Sequence, residues 1–166
     1  MKEPVSILPS RSLNHNQLRP YMTSTSIEII LVEDNLDDAL LTIRALKKSN
    51  LANNILHLKD GEEAIDYFFG PGEFPGKNIP ENPKLILLDL KMPKVNGLEV
   101  LERIKSDERT KQIPVVILTS SNEDPDIKKC YALGVNSYIV KPVGFENFVS
   151  IISALGIYWL LLNQKP

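Results

Sequence analysis

The chain has 166 residues, enough for one domain with a single core, and its 43% hydrophobic and 24% charged content is ordinary for a soluble globular protein. Its 19 basic and 21 acidic residues leave a formal net charge of -2, which gives no general pull toward nucleic acid or an anionic membrane. The one cysteine, Cys130, excludes an intrachain disulfide and, with no signal peptide, points to a reducing cytoplasm.

Residues 1–26 are rich in Ser, Asn, Pro and Arg without sustained periodicity and read as a flexible tail; residues 27–166 read as the folded domain. Ile27 to Val32 is an apolar, β-branched run, the pattern of a buried strand, and it ends in Glu33-Asp34-Asn35. Leu36 to Lys48 has helical spacing, with Asn35 placed to cap it. A second strand is expected at Ile55 to Lys59, a turn at Asp60-Gly61, and a second helix at Glu62 to Phe69. Gly70 to Pro83 holds Pro71, Pro75, Pro80 and Pro83 with three glycines, the composition of a long irregular loop.

Leu85 to Leu88 is a third strand, running into Asp89, and Gly97 to Ser106 a third helix. Val115 to Leu118 is a fourth strand, running into Thr119. Pro125 to Leu133 is a helix stopped by Gly134, with Cys130 read as a small apolar side chain rather than a redox switch. Ser137 to Val140 is a fifth strand before Lys141-Pro142, and Phe145 to Leu162 a long last helix. That apolar end is too short for a bilayer span of ~20 residues, and it leaves no room for an attached output domain. The β-α rhythm, repeated five times, predicts an α/β fold: a parallel sheet with helices on both faces.

In such sheets ligands bind beyond the carboxyl ends of the strands. Those ends carry Glu33 and Asp34, Asp89, Thr119 and Lys141. Three converging carboxylates repel one another and call for a hard cation such as Mg²⁺, which takes oxygen ligands and keeps waters. A carboxylate can attack phosphorus, and phosphoryl transfer needs mainly positioning and neutralised charge. Lys141 would supply charge and Thr119 a hydrogen bond.

The segments EDN (Glu33 to Asn35), LLDLKMPKVNG (Leu87 to Gly97), LTSS (Leu118 to Ser121) and VKP (Val140 to Pro142) resemble the receiver domain of two-component response regulators over roughly residues 27–162. The resemblance implies a five-stranded flavodoxin-like fold of strand order 2-1-3-4-5 and a phosphoryl group accepted from a histidine kinase. It implies Asp89 as phospho-acceptor and Glu33, Asp34, Asp89 and the Lys91 backbone carbonyl as Mg²⁺ ligands. Thr119 and Lys141 would sense the phosphoryl group, Tyr138 would be the aromatic switch, and the bond before Pro142 would be cis. Lys91 and Ser121 fall where the family tunes loss of the phosphate. The protein would assist its own phosphorylation and dephosphorylation without being a conventional turnover enzyme. The long loop and apolar C-terminus resemble the small regulators that partner phytochrome histidine kinases.

The last helix is apolar nearly all round, as in a helix buried on more than one side. Its stripe of Phe148, Ile152, Leu155 and Trp159, with Leu160, is expected to form a C2 homodimer, on the face where the family reads out its switch. Rival readings are weaker. An aspartate-nucleophile phosphohydrolase would need Asp-x-Asp after the first strand, and a nucleotide or flavin binder a glycine-rich loop there; EDNLDD has neither. A pseudo-receiver, an unphosphorylated dimeric interaction module, remains the alternative.

Overall fold

The computed structural model describes residues 27–48, 50, 52, 54–70, 83–141 and 144–163. The tail at 1–26, most of the proline-rich loop and Pro142, with its expected cis bond, lie outside those residues. Along the chain run β1 (Ile29–Val32), α1 (Leu36–Lys48), β2 (Ile55–Leu58), α2 (Gly61–Phe69), β3 (Leu85–Leu88), α3 (Gly97–Ser106), β4 (Val115–Thr119), α4 (Asp124–Ala132), β5 (Ser137–Val140) and α5 (Phe145–Gly156). All strand pairs are parallel, in the order β2-β1-β3-β4-β5. This is the expected flavodoxin-like topology.

The three central strands, β1, β3 and β4, are buried at every position because helices cover both faces. Strand alternation divides their side chains. Ile30, Val32, Ile86, Leu88, Val115 and Ile117 pack with residues of α2, α3 and α4. Ile29, Leu31, Leu85, Leu87, Val116 and Leu118 pack with residues of α1 and α5 on the opposite face. A one-residue slip of any central strand would exchange its two faces.

Local signals fix the helix ends. Asn35 Oδ1 accepts hydrogen bonds from the backbone N–H groups of Asp37 (3.0 Å) and Asp38 (3.1 Å), starting α1. Asp60 caps α2 by accepting from Glu63 N at 2.8 Å, and Asn96 with Glu99 forms a reciprocal capping box on α3. Beyond α4, Gly134 takes φ +87, and the N–H of Val135 donates to the Cys130 carbonyl at 3.1 Å, closing the helix.

The end of the chain departs from expectation. α5 stops at Gly156, and Ile157–Leu162 continues as a π-helical segment, in which Asn163 N donates to the Tyr158 carbonyl five residues back at 2.7 Å. Phe148 and Ile152, expected on a dimer interface, are instead buried under the sheet with the side chains of α1. They belong to the core because they are the α5 residues that cover β1, β3 and β4. Leu155, Trp159 and Leu160 are half-buried against the same cluster. The apolar side chains left in solvent here are Ile157, Tyr158, Leu161 and Leu162.

Candidate functional site

Two strand ends deliver the three acids. β1 runs directly into Glu33 and Asp34, and β3 into Asp89, because β1 and β3 pair in register from Ile29–Leu85 to Val32–Leu88. One carboxylate oxygen from each of Glu33, Asp34 and Asp89 lies within 4.8 Å of the others. Glu33 and Asp89 are buried and Asp34 is exposed. The cluster is thus a shallow cup with two inner walls and one outer wall.

Lys141 closes the cup from the far side of the sheet. Its backbone N–H donates to the Thr119 carbonyl at 2.7 Å, prolonging the β4–β5 ladder by one bond. Its ammonium donates to Glu33 Oε2 (2.7 Å), Asp38 Oδ2 (2.8 Å) and Asp89 Oδ2 (3.0 Å). An ammonium has three N–H donors, so all three are engaged. Burial alone would lower the pKa of Lys141. The hydrogen bonds to Asp38 and Glu33 and the charges of Glu33 and Asp89 outweigh it and hold the ammonium above the usual lysine range. Burial likewise pushes Glu33 up to about 7, against the downward pull of Lys141 and with a small upward push from Asp89.

The remaining residues frame this centre. Asp89 Oδ1 accepts from the backbone N–H of Lys91 at 3.1 Å, which places the Lys91 backbone beside the acid. The Lys91 ammonium lies 3.8 Å from Glu123 at the exposed rim. Thr119 is fully buried, and its hydroxyl accepts from Ser121 N at 3.3 Å. Ser121 Oγ donates to Asp126 Oδ2 at 2.9 Å. Tyr138, half-buried on β5, donates its hydroxyl to the Ser121 carbonyl at 2.9 Å. The aromatic ring and the loop after Thr119 are therefore physically tied.

Two contributors escaped the sequence reading. Asp38 stands in the first turn of α1, four residues past Asp34, where a helix-start acid is commonplace and gives no signal of its own. His57 stands on β2, and its Nε2–H donates to the Glu33 carbonyl at 2.8 Å. The parallel pairing of β1 and β2 is what brings that imidazole to the end of β1, and an alternating strand pattern does not mark it.

The donor set suits a hard divalent cation: oxygen ligands only, from three clustered carboxylates, one of them exposed so that waters can complete the shell. It does not suit zinc, since the cluster includes no histidine or cysteine.

Similarity to known proteins agrees with this geometry. The family model for the response regulator receiver domain matches residues 29–153. The "Probable methanogenesis regulatory protein FilR2" of Methanothrix harundinacea is 42% identical over 138 residues, covering 83% of this chain and 86% of that protein. Among solved structures, the phosphorylated cyanobacterial phytochrome response regulator RcpA is 40% identical with a TM-score of 0.76, over 83% of this chain and 96% of that one. The Mn(2+)-bound form of response regulator Rcp1 is 37% identical with a TM-score of 0.76, over 83% and 97%.

Proposed function

The chain belongs to the response regulator receiver family, and from that premise we propose that it is a phosphorylation switch whose acceptor is Asp89. The observation that carries this reading is the convergence of Asp89 with Glu33, Asp34 and the Lys141 ammonium beyond the ends of three strands, β1, β3 and β5. Asp89 attacks the phosphorus of a phosphohistidine on a partner kinase. A P–O bond forms, the P–N bond breaks, and the leaving imidazole nitrogen keeps the electron pair and takes a proton from solvent. Water later attacks phosphorus and returns the carboxylate.

Glu33, Asp34, Asp89 and the Lys91 carbonyl would hold Mg²⁺, which when bound would supply neutralising charge beside the acceptor. The Mn(2+)-bound form of Rcp1 supports a divalent ion at such a site. Lys141 adds a second positive charge. Thr119, at the end of β4, donates its hydroxyl to a phosphoryl oxygen. That turn pulls on the loop whose Ser121 carbonyl holds Tyr138, so the aromatic side chain moves with it. The readout face is formed by α4, β5 and α5.

The partner is a histidine kinase of the phytochrome type, a reading supported by the likeness to RcpA. The apolar end of the chain forms a homodimer contact. Its support is the run of exposed Ile157, Tyr158, Leu161 and Leu162 beside a groove of about 450 Å³ lined by Ile139, Ile151, Leu155 and Trp159 among others.

Phosphoramidate, a small donor with a P–N bond like that of phosphohistidine, tests the transfer step. With Mg²⁺ it is expected to give an acyl phosphate cleaved by hydroxylamine, absent from Asp89→Asn. Label that survives in Asp89→Asn would place the acceptor elsewhere.

A further inference from the structure

Of the three carboxylates bonded to Lys141, one lies outside the candidate metal group: Asp38. Resting on the proposed phosphorylation of Asp89, we propose that Asp38 is a positioning residue that competes with the incoming phosphoryl group for Lys141 and so sets how tightly the switched state is held.

Asp38 is firmly placed at the start of α1. Its backbone N–H is held by the Asn35 side chain at 3.1 Å, and its carbonyl accepts from the Thr42 hydroxyl at 2.9 Å. The helix start therefore presents the carboxylate at a fixed point, 2.8 Å from an ammonium whose side chain is only 11% exposed. That contact joins residues 103 positions apart.

Next comes the count of donors. All three N–H groups of Lys141 are committed to carboxylates, at 2.7, 2.8 and 3.0 Å. A phosphoryl oxygen can gain one only if a carboxylate yields. Glu33 and Asp89 also belong to the metal group, so a bound cation competes with Lys141 for their oxygens. Asp38 does not belong to it, and its hold on the ammonium persists when the metal binds.

Removing the charge while keeping the shape, by Asp38→Asn, should strengthen binding of a phosphoryl mimic. Beryllium trifluoride is the probe, titrated by calorimetry into the whole chain saturated with Mg²⁺. The expected gain is roughly 1.5- to 5-fold in affinity, the scale of one partly exposed ion pair. The half-life of the acyl phosphate should lengthen in the same direction.

A double-mutant cycle separates competition from a general effect of fold or metal. In a Lys141→Gln background the gain from Asp38→Asn should vanish, because the competition has no object. Mg²⁺ affinity, measured without the probe, should change less than probe affinity. Unchanged or weaker probe binding by Asp38→Asn overturns the inference, and so does a gain that persists in Lys141→Gln. Wild-type protein whose probe binding does not depend on Asp89 would instead overturn the phosphorylation reading itself.

Discussion

At the scale of single residues, the site is governed by how many charges share one small volume. Lys141 neutralises a group that would otherwise hold three crowded carboxylates, and its three hydrogen bonds explain why so basic a side chain tolerates burial. Asp89 and Lys141 were legible in sequence because each follows an apolar strand directly. Asp38 and His57 were not, since each sits inside an element whose pattern it fits, and only the packed sheet brings Lys141 to Asp38 and His57 to Glu33. Cys130 shows the opposite case, a residue whose bland reading agrees with its surroundings. It is fully buried, and burial, helped by Asp126, pushes its thiol from 9.0 up to about 11. The raised value favours the neutral thiol, so its contribution to stability is complete below about 9 and fades as pH rises toward 11. Labelling by a thiol-specific disulfide reagent at pH near 8 should run at least about 100-fold slower in folded than in unfolded protein, from the lost thiolate fraction alone. Equal rates would show that the thiol is open to solvent.

At the scale of elements, the loop from β3 to α3 is the most tightly specified piece of chain. Gly97 begins α3 where the helix crosses the acceptor loop. A Cβ built there would lie 2.1 Å from the carbonyl oxygen of Asp89 and 2.7 Å from Leu90 Cα. The backbone of the acceptor residue therefore leaves no room for any side chain. Gly97→Ala should cost about 1–3 kcal/mol in urea denaturation, as an overpacking change. It should also weaken Mg²⁺ binding measured by calorimetry, since the collision falls on Asp89 itself. A variant with unaltered stability and metal affinity would mean that the loop yields freely. This glycine was visible as the end of LLDLKMPKVNG, but the reason for it is a close approach in space. The elements themselves were legible because each strand is a short apolar run bounded by turn residues. The break at Gly156 was not, because the apolar run continues through it from Ala154 to Leu162 and carries no mark of where the hydrogen bonding changes from the α to the π pattern.

At the scale of the whole molecule, the last helix does leave apolar side chains in solvent, but two of the five residues expected at the interface are core. Phe148 and Ile152 are spent on the core. Leu161 and Leu162, 68% and 66% exposed, carry the unpartnered surface with Ile157 and Tyr158. Lys substitutions at both leucines should convert the proposed dimer to monomer in sedimentation velocity while leaving the unfolding midpoint of the monomer little changed, since neither side chain is buried in the single chain. Wild-type protein that sediments as a monomer at tens of micromolar would contradict the dimer proposal. Among the described residues no helix is long and apolar enough to cross a membrane.

The central claim is that Asp89 takes a phosphoryl group in a metal-dependent way. The intact mass of the protein after incubation with acetyl phosphate and Mg²⁺ tests it most directly, with Asp89→Asn and metal-free samples alongside. A gain of one phosphoryl mass is expected in the complete sample and none in either control. No gain in folded protein with bound Mg²⁺, or a gain that survives the loss of Asp89, would contradict it.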